Sequence, residues 1–126
     1  MTNSFLKNNF YSIKSTNVLE DHTLVATILL NKEHAIFKGH FEQMPIVPGV
    51  CQTQIIKEVL QDQIQKNLTL TKGDNIKFMT MIIPTTNEII TLHINFKEEN
   101  SLIIVDAKIS DETSTFTKFK GAFTIN

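Results

Sequence analysis

Cysteine, proline and glycine are scarce in this sequence, and tryptophan is absent. The single cysteine, Cys51, excludes an internal disulfide, and no spacing of cysteine and histidine is typical of a metal site. No apolar segment is long enough to span a bilayer, and residues 1–10 lack the apolar core of a signal peptide. We therefore expect a cytoplasmic protein with no membrane segment.

Basic and acidic residues are also nearly balanced in number. Twelve basic and thirteen acidic residues give a formal net charge of −1, which provides no general attraction to nucleic acid or to an anionic membrane. The basic residues are scattered along the chain, and no lysine run indicates a phosphate-binding stripe. With 126 residues, of which 41% are hydrophobic, the chain is expected to form one domain over residues 1–126.

Alternation of apolar and polar residues predicts a sheet. Residues 1–10 are interpreted as a loose lead-in and residues 68–74 as a turn, and a bulge is expected between Phe116 and Phe119. Residues 24–30 are apolar on both faces, so this strand is predicted to lie inside the sheet. The predicted strands are residues 11–18, 24–30, 75–83, 88–96, 102–110 and 115–125.

Residues 49–66 have the periodicity of a long helix that is apolar on one side only. Such a helix must lie on a large apolar surface, and the predicted sheet is the only one available. The sequence therefore predicts an α+β domain, an antiparallel sheet wrapped around one long helix. The apolar arc contains Cys51, Ile55, Ile56, Val59, Leu60 and Ile64, and the opposite, polar side contains Lys57, Glu58, Gln61, Asp62 and Gln65.

The connector before this helix combines residue types that suit acid–base chemistry. Pro48 biases the preceding residue away from helix, and Gly49 has no side chain, so that a ligand can approach the backbone closely. The free amides of the first helical turn favour an electron-rich partner such as a carbonyl oxygen. His40, delivered beside this terminus, is a candidate base for chemistry on a carbonyl compound.

Two segments of the connector read Gly39-His40-Phe41 and Pro45-Ile46-Val47-Pro48-Gly49-Val50. This pattern resembles the signature of the β-hydroxyacyl-acyl-carrier-protein dehydratases, members of the hotdog-fold superfamily, and the order of elements resembles theirs over essentially the whole chain. There are two departures: Glu42 stands where the family usually has proline, and Gln54 stands where it has the catalytic carboxylate.

The resemblance implies a role for each matching residue. His40 would remove the α-proton of a 3-hydroxyacyl thioester, and the Gly49 amide would stabilise the enolate that develops. Phe41, Val50 and Phe78 would contact the acyl chain. The non-catalytic alternatives are a histidine that only orders the loop and a glycine that is needed only for the tight turn.

Gln54 occupies the position of the acid that protonates the leaving hydroxyl, and a glutamine has no acidic proton to give. It lies at the polar margin of the helix, which suits either a solvent-exposed glutamine or a side chain that points into a substrate channel. Glu58, one turn further along the helix, and Glu42 are possible rescue acids. Cys51 is expected to be a buried, inert thiol. The remaining histidines, His22, His34 and His93, are expected to be surface or loop residues.

By this resemblance the protein would act as a 3-hydroxyacyl-thioester dehydratase on acyl carrier protein or coenzyme A, without a cofactor. It would form a homodimer or a trimer of dimers. One alternative is a catalytically impaired, acyl-binding helper subunit that pairs with an active homologue. Another is a hotdog thioesterase.

Overall fold

The computed structural model describes residues 4–19, 22–39 and 45–126. One six-stranded antiparallel sheet, in the strand order β1-β2-β4-β5-β6-β3, is combined with one long helix and one short helix. The predicted order of two strands, a long helix and four strands is confirmed, with the short helix added before the long one. The elements are β1 (Tyr11–Leu19), β2 (Thr23–Leu30), α1 (Ala35–Gly39), α2 (Gly49–Ile64), β3 (Leu68–Phe78), β4 (Ile89–Glu99), β5 (Leu102–Ser110) and β6 (Thr115–Ile125).

The core lies between α2 and one face of the sheet. Strand residues alternate between buried and more exposed positions, because successive side chains of a strand point to opposite faces. The predicted apolar arc of α2 is confirmed, since Cys51, Ile55, Ile56, Val59 and Leu60 are all buried, and the last member, Ile64, is half-buried and packs against the core. The sheet contributes the buried residues Leu24, Ala26, Ile28, Ile90, Leu92, Ile94, Ile103, Val105, Ala107, Ile109, Phe119 and Phe123.

β2 lies between β1 and β4, which confirms its predicted interior position. The β4–β5 hairpin turns at Asn100 and Ser101, which both have positive φ, as a two-residue turn matching the twist of the strands requires. A register shift at the start of β6, where Ile109 faces Thr117 and Ser110 faces Thr115, places a bulge slightly before the predicted position.

The prediction for residues 68–83 is wrong. Residues 68–74 are not a turn but the first part of β3, which ends at Phe78 instead of continuing to Ile83. β3 is an edge strand paired only with β6, and most of its side chains are exposed on both faces. Since neither face is buried, β3 has no need of the alternation that reveals a strand in sequence.

Two further expectations need correction. The lead-in is not loose where it is described, because Phe10 is fully buried in the core. Glu58 and Gln61, assigned to the polar side of the helix, are also fully buried. The N-terminal segment and the start of β3 cover this side of α2, since Glu58 binds main-chain amides of residues 5–7 and Gln61 binds the amide of Leu68.

No helix in residues 4–19, 22–39 or 45–126 is long and apolar enough to cross a membrane.

Candidate active site

Three of the residues singled out in the connector, His40, Phe41 and Glu42, lie outside the described residues. The connector is described again from Pro45, where it leads into α2. The site therefore has to be built from the helix terminus and from the segment that follows β3.

The N-terminus of α2 is free of side-chain caps in the described part of the chain. Pro48 is the N-cap residue in an extended conformation, with φ −61° and ψ 150°, and no side chain caps the first turn. The first amides of a helix have no partner within it, and they carry the positive end of the helix dipole. The terminus starting at Gly49 can therefore donate hydrogen bonds to a carbonyl oxygen or an anion.

Gly49 is packed against an aromatic ring. A Cβ atom at this position would lie 2.7 Å from Cζ of Phe78, so the absence of a side chain lets the ring sit on the helix terminus. The ring itself is 53% exposed. A glycine is therefore suited to this position because the Phe78 ring approaches its backbone closely. An unusual backbone conformation is not the reason, because the φ of Gly49 is not positive.

A largely apolar cavity of about 310 Å³ adjoins this terminus. It is bounded by the end of the connector, the first turn of α2 and the chain that leaves β3. Such a combination of apolar walls with a few polar groups is typical of small-molecule sites. The lining residues are Ile46, Val47, Pro48, Gly49, Gln52, Phe78, Met79, Thr80 and Met81.

A buried glutamine, Gln52, holds the connector in place just before the N-terminus of α2. Its amide nitrogen donates to the Val47 carbonyl oxygen at 3.1 Å, and its oxygen accepts a hydrogen bond from the Thr117 hydroxyl. The Val47 amide in turn donates to the Ile82 carbonyl oxygen at 2.9 Å. The connector is thus tied both to β6 and to the segment after β3. Sequence analysis missed Gln52, because its partner Thr117 is 65 residues away.

Gln54, at the position of the family acid, is half-buried and bound to Glu58. Its amide nitrogen donates to Glu58 Oε2 at 2.7 Å, one turn further along α2. This contact sets the orientation of the amide group, with Nε2 towards Glu58. Gln54 therefore offers its oxygen to other partners as a hydrogen-bond acceptor.

The Glu58 carboxylate is fully buried and accepts hydrogen bonds from five groups. Three are successive main-chain amides, those of Phe5, Leu6 and Lys7, at 2.9, 3.0 and 2.9 Å. The others are the Tyr11 hydroxyl, at 3.0 Å, and Gln54. Burial, and then the neighbouring Glu58 carboxylate, raise the pKa of Tyr11 above its usual range, so the phenol remains a donor.

This arrangement argues against Glu58 as a rescue acid. All five partners are donors, so Glu58 is satisfied as an acceptor and its position is occupied by main-chain contacts. A salt bridge between Lys7 and Asp62, at 2.6 Å, attaches the same segment to α2. The rescue role stays a prediction that a substitution must test.

The other residues considered fall into different environments. Val50 is 78% exposed and is not among the cavity residues. Cys51 is buried, and burial raises the pKa of its thiol, which is the condition of an unreactive cysteine. His93 is not a loop residue, since it lies half-buried within β4, where burial and then Lys108 lower its pKa. No three His, Cys, Asp or Glu residues of the described ranges are grouped as a metal site would require.

The family model and the curated relatives that match this chain are all described as dehydratases. The model of a family described as ApeI-like, ApeI dehydratase, matches residues 15–119. A 3-hydroxyacyl-[acyl-carrier-protein] dehydratase FabZ from Streptococcus sanguinis is 30% identical over 98 residues, which are 72% of this chain and 69% of the relative. The enzyme of the same name from Streptococcus equi subsp. equi is 27% identical over 95 residues, covering 70% of this chain and 67% of the relative.

Solved structures agree on the fold. A chain of the dehydratase heterocomplex ApeI:P from Xenorhabdus doucetiae aligns with a TM-score of 0.71 and 20% identity, over 89% of this chain and 96% of that one. A hypothetical thioesterase protein with coenzyme A from Streptococcus pneumoniae aligns with a TM-score of 0.62 and 10% identity, over 92% of this chain and 85% of that one. The predicted hotdog fold is confirmed.

Proposed function

Because this chain belongs to the ApeI-like dehydratase family, we propose that it binds 3-hydroxyacyl thioesters beside the first turn of α2. In this proposal His40 removes the α-proton as a base, and the Gly49 amide donates a hydrogen bond to the thioester carbonyl, stabilising the enolate. The observation that carries the proposal is the uncapped terminus at Gly49 next to an apolar cavity of about 310 Å³.

The acyl chain would lie along the apolar side of this cavity. Phe78 already packs on Gly49, and Met79 and Met81 continue the lining. Phe41 would add contacts on the connector side, whereas Val50 does not line the cavity. The carrier would be acyl carrier protein, as in the names of the FabZ relatives, with coenzyme A as the alternative.

Gln54 does not line this cavity, so Gln54 of a second subunit would position the substrate hydroxyl, without protonating it. Since its Nε2 is committed to Glu58, its oxygen is the atom able to accept a hydrogen bond from that hydroxyl. Losing a general acid typically costs about a hundred- to ten-thousand-fold in rate. We therefore expect slow dehydration, with a water molecule giving the proton to the leaving hydroxyl.

The hydrogen bond between Gln54 and Glu58 also favours a second function, that of a helper subunit. A chain whose acid position is a glutamine bound to a structural carboxylate could bind acyl chains while an active homologue performs the reaction. The related chain in a dehydratase heterocomplex is compatible with this arrangement.

A second subunit would complete either version of the site, because Gln54 does not line the cavity of its own chain. β3 is an edge strand, and three exposed apolar side chains lie at its end and shortly after it. We propose that β3 pairs with the corresponding strand of a second copy or of a homologue, forming a dimer or a trimer of dimers. The three side chains, here called the β3 patch, are Phe78, Met79 and Met81.

The test follows enoyl formation by mass on a 3-hydroxyacyl carrier protein, with wild type, His40→Ala, Gln54→Glu and the control His22→Ala, which removes an exposed histidine. We expect slow turnover by the wild type and the control, and a loss of about a hundredfold or more in His40→Ala. Activity that appears only in Gln54→Glu would mean an intact pocket that has lost its acid and would favour the helper function instead. Silence of all four proteins would overturn the assignment for this substrate.

A further inference from the structure

His34 lies directly before α1 and is bonded to its first turn. The Ile36 amide donates to His34 Nδ1 at 3.0 Å, and the Phe37 amide donates to the His34 carbonyl oxygen, also at 3.0 Å. A side chain that accepts a hydrogen bond from the second residue of a helix acts as its N-terminal cap, a role that serine, threonine, aspartate and asparagine usually fill. Sequence analysis placed His34 among surface or loop residues, whereas in the structure it is the cap of α1.

An imidazole ring adds a contact that the usual capping side chains cannot make. The His34 ring meets the Phe10 ring edge-on, with centroids 5.2 Å apart and planes at 76°. Phe10 is fully buried and also contacts the Phe37 ring of α1, at a centroid distance of 5.2 Å. His34 is itself half-buried, so the same side chain caps α1 and attaches it to the core.

The turn before His34 is held by Asn31. Its Oδ1 accepts a hydrogen bond from the Glu33 amide at 3.0 Å, and its Nδ2 donates to the Asn9 carbonyl oxygen at 2.8 Å. Its main-chain amide donates to the Phe10 carbonyl oxygen at 2.8 Å, and its carbonyl oxygen accepts from the His34 amide at 3.1 Å. The end of β2 and the start of α1 are therefore fixed to the same N-terminal segment.

The position of α1 bears on the proposed base. α1 ends at Gly39, and His40 is the next residue of the chain. Consecutive Cα atoms are about 3.8 Å apart, so the place where α1 ends limits where the backbone of His40 can lie. A helix of five residues has little stability of its own, so its position depends on its cap and its packing. A misplacement of about 1 Å in a reacting group can cost about a hundredfold in rate.

We propose that His34 is a positioning residue for the base: it caps α1 through Nδ1, holds this helix on Phe10 and thereby sets where the chain enters His40. The inference rests on the proposed function, in which His40 removes the α-proton. His34 does not line the cavity beside Gly49, so it acts on the base through the backbone of α1 and not by contact with the substrate.

The test compares His34→Ala, which removes the accepting nitrogen, with His34→Asn, which keeps a side chain able to cap a helix. The control, His22→Ala, removes another imidazole with an edge-on ring contact, to Phe96 at a centroid distance of 6.3 Å. His22 precedes the start of β2, whereas His34 follows its end, so the control lies far from α1. Enoyl formation on a 3-hydroxyacyl carrier protein is measured over a range of substrate concentrations, well below the melting temperature of each protein.

We expect the kcat of His34→Ala to fall about ten- to hundredfold with KM nearly unchanged, because the base is displaced while substrate binding beside Gly49 remains. His34→Asn should retain most of the wild-type kcat, since asparagine restores the cap. His22→Ala should leave both constants nearly unchanged. A loss in His34→Asn as large as in His34→Ala, or an unchanged kcat in His34→Ala, would overturn the proposal.

The imidazole of His40, followed by NMR, provides a measurement that needs no turnover. His34→Ala should change the His40 shifts, whereas His34→Asn and His22→Ala should leave them close to those of the wild type. If the wild type forms no enoyl product and His40 still responds in this order, the proposed reaction fails while the positioning of His40 by His34 is supported. Coincident His40 shifts in the wild type and the three variants would overturn the positioning role, whatever the turnover.

Discussion

At the scale of single residues, the Glu58 carboxylate joins parts of the chain that are distant in sequence. Its donors come from residues 5–7, from Tyr11 and from Gln54 on its own helix. A buried carboxylate is costly unless hydrogen bonds replace its hydration, and here they do. This explains why a helix residue that reads as solvent-exposed in sequence lies in the interior.

We expect Glu58→Gln to lower the free energy of unfolding by about 2–4 kcal/mol, because the new amide nitrogen would face main-chain donors and leave at least one of them unsatisfied. Urea denaturation measures the change. Glu112→Gln, at an exposed position, is the control and should change stability by less than about 0.5 kcal/mol. An equal, small effect of both substitutions would contradict the role given to Glu58.

Gln54→Glu should make stability depend on pH. The new carboxylate would replace the donor that now lies 2.7 Å from Glu58 Oε2, so two like charges would meet and at least one pKa of the pair would be raised in the folded state. A raised folded pKa means that the folded protein binds more protons than the unfolded chain, so stability falls as pH increases.

Urea denaturation of Gln54→Glu and of the wild type between pH 4 and pH 8 measures this pH dependence. The difference between their free energies of unfolding should grow towards pH 8. The double variant Gln54→Glu/Glu58→Gln removes one of the charges and should lose most of this dependence. A pH-independent difference would show that the two side chains do not interact.

At the scale of elements, the helix and the inner strands could be predicted because each buries one face in a regular period. β5 and β6 have the predicted bounds, and α2 ends two residues before the predicted position. β3 could not be predicted, because its exposed edge follows no period. Of the candidate site, the sequence indicated Gly49 and Phe78 as candidates, but it could not indicate Gln52, which depends on packing against the distant Thr117.

Two glycines should respond differently to alanine. At Gly49 the new methyl group meets the end of the half-exposed Phe78 ring, which can rotate away. We therefore expect the free energy of unfolding to fall by about 1 kcal/mol or less. At Gly121 it would collide with the Lys72 carbonyl oxygen of the paired strand, and a loss of about 3 kcal/mol or more is expected.

Thermal denaturation of Gly49→Ala and Gly121→Ala compares the two sites. Phe78→Ala added to Gly49→Ala should remove the steric conflict, so this double variant is the control for the packing argument. A larger loss at Gly49 than at Gly121 would mean that the ring cannot move aside.

At the scale of the whole molecule, the two faces of the sheet and its β3 edge have different properties. One face holds the core against α2, and the other carries a row of three lysines, Lys77, Lys108 and Lys118. The edge formed by β3 is unpaired in the monomer and ends at the β3 patch. An exposed edge strand next to apolar side chains is a liability for an isolated chain, and pairing with a second subunit would remove it.

Met81→Lys is therefore expected to dissociate the proposed dimer into monomers, since a charge in the β3 patch would have to be desolvated on pairing. Ile89→Lys is the matched control, because Ile89 and Met81 are both 55% exposed but Ile89 lies at the start of β4, outside the patch. Sedimentation velocity over a range of concentrations measures the change. Dissociation by Ile89→Lys and not by Met81→Lys would place the subunit contact elsewhere on the molecule.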